Sequence, residues 1–171
     1  TVNTLLKFDT GTISSNGSAG QAHVWPACNP NCFGAGGGAG GSVKVTAEEV
    51  TGTGGVISAN GGGTDFTGIS GGGGRVAFYY QTISYTGGLA ALGLRAYGAT
   101  SNSPSAAGTV FYKDITDNPN GYIMADNNSL PHVQLVETPL PPALTFDDII
   151  TRNNGTFIVP VTDTFNHISN T

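Results

Sequence analysis

Charged residues are scarce in this chain. Asp, Glu, Lys and Arg make up 10% of the 171 residues, whereas about a quarter is typical of globular domains. The chain has six basic and eleven acidic residues, which gives a formal net charge of −5. This balance argues against nucleic acid as a partner. No apolar run reaches the length that would span a bilayer, so membrane insertion is not expected either.

Helical periodicity and a targeting segment are also missing. No segment places apolar residues at the i, i+3, i+4, i+7 spacing of an amphipathic helix. The chain begins at Thr1 without Met and without a basic and apolar leader. We therefore expect a mature form or an excised piece of an exported protein, located outside the cell or at its surface.

Cysteine is limited to Cys28 and Cys32, which lie close together in the sequence. A disulfide between them would close a very short loop, which fits an oxidising compartment, and would hold the tip of a long excursion. Zinc is the alternative, with His23 as the nearest further ligand, but a structural zinc site needs four ligands. We favour the disulfide and expect no cofactor.

Glycine, in contrast, is abundant, with 27 residues. It precedes a recurring unit in which a small or basic residue leads into a β-favouring run. This unit recurs at a nearly constant spacing, at positions 41–46, 74–79 and 108–113. Alternation with a period of two predicts strands.

A second recurring unit alternates with the first. It has apolar residues at alternate positions and ends in a small polar turn. It occurs at 11–17, 55–61, 93–98 and 121–127. Short strands at a fixed repeat, joined by loops without helices, are typical of a chain that winds and stacks on itself.

The glycines beside these units are predicted to form the corners of such a coil. Glycine tolerates positive φ and close approach of another backbone, both of which a corner demands. The predicted corners are Gly41, Gly55, Gly71, Gly72, Gly73, Gly74 and Gly108. A phosphate-binding loop is disfavoured because strand residues, and not a helix, follow Gly74.

Three stretches together carry a family resemblance: GGSVKVTAEEVTGTGGVISANGGG, GGGGRVAFYY and AAGTVFYKD. They resemble the glycine-rich parallel β-helix repeats of large bacterial secreted and cell-surface proteins. The resemblance implies an all-β fold, a right-handed parallel β-helix (solenoid) with Gly-rich corners and an irregular C-terminal segment. It also implies export, but it supplies no set of catalytic residues.

The chain is expected to form one domain with two parts. Residues 1–128 are predicted to hold the repeats, with a Cys-containing insert at 18–40. Residues 129–171 are predicted to form strands interrupted by proline, serving as a cap or an inter-subunit contact, because proline cannot donate to a central ladder. Strands are expected at 143–151 and 155–161, with a turn at 153–155 between them.

The sequence gives only weak signals for a metal site or for a site with two carboxylates. Oxygen ligands at alternate positions before a Gly favour Ca²⁺, and Asp114, Thr116, Asn118 and Asn120 precede Gly121 in this way with one carboxylate. Hydrogen bonds of these side chains to their own backbone are the favoured interpretation. The adjacent acids in 48–49 and 147–148 point to opposite faces of a strand, and are interpreted as solvent-facing strand ends.

Other residues are candidates for attachment of glycans or for binding of sugars. Asn16, Asn127 and Asn154 begin glycosylation triplets, which indicate surface exposure. Candidates for stacking on sugars are Trp25, Phe33, Tyr79, Tyr80, Tyr85 and Tyr97, although alternate aromatics more often form interior or surface stacks. His23, His132 and His167 lie in unrelated contexts.

These observations favour a non-enzymatic structural or adhesive module of an exported surface or filament protein. Its partners would be copies of itself, neighbouring repeats of a longer chain, or an extracellular glycan, and it is expected to assemble end to end into a fibre. The alternative is a protein that binds or cleaves polysaccharide, for which Asp114, Asp117 and Asp126 would have to converge. A third hypothesis is a module of a virus tail fibre or spike.

Overall fold

The computed structural model describes residues 4–21, 34–64, 68–100, 105–116, 120–130, 138–140, 145–158 and 168–170. Within these ranges the chain forms short strands and a single 3-10 turn, Leu89–Ala91. No helix among the described residues is long and apolar enough to cross a membrane.

Seven strands form the largest sheet. In spatial order they are β1 (Leu5–Phe8), β3 (Ser42–Gly52), β5 (Arg75–Tyr85), β7 (Thr109–Asp114), β8 (Tyr122–Asp126), β10 (Asp148–Arg152) and β12 (Ile168–Asn170). A second sheet contains β2 (Thr12–Ser14), β4 (Val56–Ser58) and β6 (Gly93–Arg95). A third contains β9 (Thr138–Pro139) and β11 (Phe157–Ile158).

The first recurring unit of the sequence forms the centre of the large sheet. Strands β3, β5 and β7 pair in parallel, so that Ser42 lies beside Arg75 and Arg75 beside Thr109. The sequence offset between these partners equals the spacing of the sequence units. The runs are rich in β-branched and aromatic residues, which favour strands.

The second recurring unit behaves differently in its last copy. Strands β2, β4 and β6 pair in parallel, with Ile13 beside Ile57 and Ile57 beside Leu94. The fourth copy, at 121–127, does not continue this sheet. It forms β8, which joins the large sheet and runs antiparallel to β7.

The predicted right-handed parallel β-helix is therefore wrong. The described residues form three separate sheets with parallel and antiparallel strands and almost no helix, and they do not close into a solenoid. The chain reverses direction between β7 and β8, and Gly121, which directly precedes β8, has φ +85°. A repeat of nearly constant spacing fixes which strands lie side by side, but it does not determine where the chain turns back.

The predicted C-terminal strands begin later than expected. Strand β10 begins at Asp148 and β11 at Phe157, while positions 143–144 and 159–161 of the two predicted strands lie outside the described residues. The turn between them is present, since Asn153 and Asn154 both have positive φ, 48° and 66°. Its two strands do not pair with each other, because β10 lies between β8 and β12 while β11 pairs with β9.

The main core lies on the inner side of the large sheet. Phe78, Val76 and Val110 are almost fully buried there, and Ile57 and Leu94 of the second sheet belong to the same cluster.

In both long strands, β3 and β5, the alternation of inward and outward side chains is interrupted by one extra residue, and the interruption occurs at paired positions. In β3 the inward positions step by three, from Ala47 to Val50. In β5 they step in the same way, from Tyr80 to Ile83. The acids at 48–49, which were expected at a strand end, lie at this bend within β3.

Glycine-rich segments bring backbones together without side chains between them. We call residues 38–41, 59–62, 71–74, 96–99 and 105–108 the backbone layer. Its segments hydrogen-bond across the molecule: the Gly74 N–H donates to the Ala59 carbonyl (2.7 Å), and the Gly108 N–H donates to the Ala96 carbonyl (2.6 Å). The Gly71 N–H donates to the Gly62 carbonyl (2.9 Å).

The seven predicted corner glycines differ in whether their backbone conformation or their surroundings exclude a side chain. Gly55 has φ +140°, a conformation that side chains disfavour. Gly41, Gly71, Gly73, Gly74 and Gly108 are confined by neighbouring atoms: a Cβ atom would overlap Ser15 at Gly41 and backbone atoms at the other four. Gly72 has space, since the nearest atom to its Cβ position is the Ala106 carbonyl oxygen at 3.8 Å. The solenoid for which these corners were predicted does not form, so none of them is the corner of one.

Two neighbouring glycines provide a test of the backbone layer. A methyl group at position 73 would overlap the Ala96 carbonyl and the Gly108 amide nitrogen, whereas one at position 72 would make an ordinary contact. We expect Gly73→Ala to lower the free energy of unfolding by roughly 1–3 kcal/mol, and Gly72→Ala to change it by less than ~0.5 kcal/mol. Denaturant titration of both variants measures this, and equal effects would contradict the proposed close packing.

Candidate functional site

Part of the predicted sites lies outside the described residues. This applies to Cys28 and Cys32 with their proposed disulfide, to the alternative zinc ligand His23, and to Trp25. It also applies to Asn118 and Asp117. These assignments stay predictions.

The described members of the candidate Ca²⁺ loop make other contacts. The Asp114 carboxylate accepts hydrogen bonds from the Thr116 amide (2.8 Å) and hydroxyl (2.6 Å), which forms a turn closed by its own side chain. The Asn120 side chain donates to the Asp147 carboxylate (3.1 Å). Among the described residues, no group of three His, Cys, Asp or Glu side chains could hold a metal ion.

The two described acids of the predicted cleavage site lie far apart. Asp114 ends β7 and Asp126 ends β8, and these strands are antiparallel with Val110 opposite Met124. The two acids therefore lie at opposite ends of the pair, about 20 Å apart along the strands. Glycosidases that use two carboxylates hold them within about 10 Å, so this pair does not form such a centre.

Asparagine side chains tie successive strands together near the ends of the second unit. The Asn16 side-chain oxygen accepts from the Asn60 amide (2.8 Å), and that of Asn60 accepts from the Tyr97 amide (2.9 Å). Asn127 is 7% exposed and accepts from the Gly98 amide (3.2 Å). The triplet at Asn127 thus does not mark an exposed side chain, whereas Asn16 and Asn154 are exposed.

The strongest candidate site is the outward side of β3, β5 and β7. Val43, Val76 and Val110 point into the core, so the alternate residues point outward. The parallel register arranges them in three rows, which we call the outer face. The rows are Ser42, Arg75 and Thr109; Lys44, Ala77 and Phe111; and Thr46, Tyr79 and Lys113.

The outer face has a distinct chemistry. It holds three basic residues out of the six in the chain, two aromatic rings, three aliphatic hydroxyl side chains and no acid. Lys44 and Arg75 are exposed, and Tyr79 and Phe111 are half-buried. A chain with a net charge of −5 thus presents a locally positive face.

The aromatic rings of the outer face are in contact. The Lys44 ammonium lies 5.2 Å from the centre of the Tyr79 ring, within the range of a cation–π interaction. The Tyr79 and Phe111 ring centres are 5.5 Å apart and tilted by 54°. The Phe146 ring lies 6.3 Å beyond Phe111, so the row continues from the sheet onto the C-terminal part of the chain.

A cleft of about 660 Å³ opens along this row, within the usual range of about 300–1,000 Å³ for ligand sites. Ala77, Tyr79 and Phe111 form its floor, and Leu140 and Phe146 contribute to its wall. Arg75, Thr109, Asn120 and Thr145 supply polar groups around it.

The wall of the cleft is held by its own small core and by one carboxylate. Ile123, Ile149 and Leu140 form a second buried cluster against which Phe146 packs. The Asp147 carboxylate accepts hydrogen bonds from the amides of Gly121 (2.6 Å) and Asn120 (3.3 Å). Asp147 therefore holds the backbone that leads into β8 beside the cleft.

A second cavity of about 270 Å³ lies where the three-stranded sheet ends at β6. Leu94, Tyr112 and Met124 of the main core line it, together with the charged residues Arg95 and Asp126. Tyr112 stacks on Tyr122 at 5.0 Å with an angle of 13°. This cavity is smaller than the cleft and belongs to the end of the core.

Comparisons with protein-family models, with curated proteins and with solved structures gave no match. The resemblance to glycine-rich repeats of secreted proteins stays a prediction, and the function has to be inferred from the site itself.

The sequence predicted only part of this site. Tyr79 was a candidate for stacking on sugars, but Lys44, Arg75, Phe111 and Phe146 were not singled out. A signal for the first three was present, since they occupy outward positions of repeat units that align at a nearly constant spacing. Phe146 and Asp147 lie outside the repeats, and no pattern connects them to β7.

Four tyrosines near the core resist ionisation. Burial raises the pKa of Tyr80 above 10.0, and the Asp114 carboxylate adds to the effect. Burial likewise raises the pKa of Tyr112, of Tyr97 and of Tyr85. The Tyr85 hydroxyl is buried and has no hydrogen-bond partner within the described part of the chain.

These shifts predict loss of stability at alkaline pH. A tyrosine whose pKa is raised by folding binds its proton more tightly in the folded state, so its contribution is complete below pH ~10 and is lost as the pH rises above it. We expect spectrophotometric titration to show tyrosines that ionise above pH ~10 together with unfolding. Ionisation of all six tyrosines near pH ~10 in a folded protein would contradict this assignment.

Proposed function

We propose that this protein is a non-enzymatic adhesive module of an exported protein, and that it binds a polysaccharide along the outer face. The observation that carries the proposal is the row of Tyr79, Phe111 and Phe146, which lies in a 660 Å³ cleft beside hydroxyl side chains. Aromatic rings offer apolar area to the C–H faces of sugars, and hydroxyls match their polar edges.

The scaffold supports binding because it fixes the positions of these side chains. Strands β3 and β5 pair along almost their whole length in one register, from Ser42 beside Arg75 to Gly52 beside Tyr85, and β7 extends the pairing on the other side of β5. Side chains on such a sheet are held in place before a ligand arrives, which reduces the ordering cost of binding.

Binding without cleavage fits the carboxylates better than hydrolysis does. Asp114 and Asp126 lie at opposite ends of their strand pair, and each accepts hydrogen bonds from its neighbourhood. Asp147, which follows Phe146 of the cleft wall, is engaged by the Gly121 and Asn120 amides. These carboxylates hydrogen-bond to groups of the fold, and they do not converge on one position where a substrate could bind.

The topology gives less support to the expected end-to-end fibre. Among the described residues, β1 and β2 are both edge strands at one end of the molecule. At the other end, the described part of the three-stranded sheet stops at β6, while the large sheet continues through β8 and β10 to β12 in the opposite strand direction. Copies stacked head to tail could not extend both sheets with parallel pairing.

Removal of the aromatic rings tests the proposed function. Affinity electrophoresis and calorimetry would measure binding to polygalacturonate, its methyl ester, dextran and dextran sulfate. We expect Tyr79→Ala and Phe111→Ala each to weaken binding about tenfold, equivalent to about 1.4 kcal/mol, on whichever polymer the unaltered protein binds.

A matched control removes an apolar side chain elsewhere. Ile69 is 72% exposed and lies outside the outer face, so Ile69→Ala should leave binding unchanged. If the folded protein binds none of the four polymers, or if Ile69→Ala weakens binding as much as Phe111→Ala, the proposed function is wrong.

A further inference from the structure

The charges of the outer face point to the class of polysaccharide. We infer that the ligand is an anionic polysaccharide, whose carboxylate or sulfate groups lie against Lys44 and Arg75. This inference rests on the proposed function of the same face and adds the charge of the ligand to it.

The outer face carries a net positive charge, whereas the chain as a whole carries a net negative charge. Its nine positions hold Lys44, Arg75 and Lys113 and no acid, although acids outnumber bases eleven to six in the whole chain. The acids next to it are Glu48 and Glu49 on β3, Asp114 at the end of β7, and Asp147, which follows Phe146 and bonds Asn120 of the cleft lining. Asp114 and Asp147 each accept hydrogen bonds from neighbouring groups.

Lys44 and Arg75 are available to a ligand. Both side chains are exposed, and within the described ranges neither takes part in a hydrogen bond or an ion pair of the fold. Lys44 contacts the face of Tyr79, at 5.2 Å from the ring centre. This contact leaves the ammonium group accessible to an anion from the solvent side. Lys113 has other interactions, so the inference does not depend on it.

Lys44 and Arg75 lie close enough in the sheet for one polymer chain to reach both. Lys44 and Arg75 lie on adjacent strands and in adjacent rows. Strands are about 4.8 Å apart and alternate residues about 6.7 Å apart, so the two Cα atoms are separated by about 8 Å. A polymer that crosses β3 and β5 towards Phe111 would meet both cations and then the aromatic floor of the cleft.

Sugar anions fit this face better than nucleic acid. DNA carries a charge every ~1.7 Å of its axis and is bound by proteins with many phosphate contacts. The attraction of nucleic acid to two accessible cations would be weaker than its repulsion by the remaining surface of this acidic protein. A polysaccharide with sparser charge can use the cations while its C–H faces contact Phe111 and Phe146.

A polymer with and without its charge tests the inference directly. Polygalacturonate carries a carboxylate on each sugar, and its methyl ester has the same backbone without that charge. We expect the folded protein to bind polygalacturonate at least tenfold more tightly than the ester, and added salt to reduce the difference. This comparison uses the unaltered protein and is independent of how any variant folds.

Two double variants with the same change in net charge locate the effect. Lys44→Gln with Arg75→Gln removes both cations of the outer face, and we expect at least tenfold weaker binding to polygalacturonate with little change for the ester. Lys7→Gln with Arg95→Gln is the matched control, since Lys7 lies on β1 and Arg95 on β6. It should weaken binding less than about twofold, because long-range charge effects are screened at ordinary ionic strength.

The outcomes separate this inference from the proposed function. Equal binding of polygalacturonate and its ester would overturn the inference and leave the proposed function standing. Equal loss in both double variants would also overturn it, because net charge alone would then explain binding. Polyglutamate bound as tightly as polygalacturonate would overturn it too, since the face would then select charge without sugar. Absence of binding to every polymer would contradict both proposals.

Discussion

The fold depends on direct contact between main chains in the backbone layer. Where most domains separate their sheets with side chains, the segments at 59–62 and 71–74 approach until the Gly74 N–H reaches the Ala59 carbonyl. Each such bond satisfies a donor and an acceptor that burial would otherwise leave unpaired. The absence of side chains is a requirement here, because a Cβ atom at Gly73 or Gly108 would overlap a neighbouring backbone.

This contact connects the interior to the outer face. Gly41, Gly74 and Gly108 immediately precede β3, β5 and β7, so their fixed positions set where each strand begins. Once the starts are aligned, parallel pairing places Arg75 beside Thr109 and Lys44 beside Ala77. The positive and aromatic rows are thus a consequence of where the glycines pack, and the cleft is completed by Phe146 from outside the repeats.

The sequence allowed some of this structure to be predicted, for definable reasons. The nearly constant spacing of the first unit identified the partners of β3, β5 and β7, because in-register pairing preserves the offset between repeats. The same reasoning failed at β8, which has the pattern of the second unit but pairs with β7. A repeat cannot indicate that the start of β8 is held by a hydrogen bond from Gly121 to the distant Asp147. The burial of Asn127 was missed as well, since its partners Gly98 and Ser105 are distant in sequence.

Amide hydrogen exchange measured by NMR tests the account most directly. If the backbone layer holds the sheets together, the amides of Gly71, Gly74 and Gly108 should exchange only through global unfolding, far more slowly than the exposed turn amide of Thr116. Protection of these glycines equal to that of the strand centres, such as Phe78, is the expected result. Rapid exchange of the glycine amides while the strands stay protected would contradict the central role given to the backbone layer.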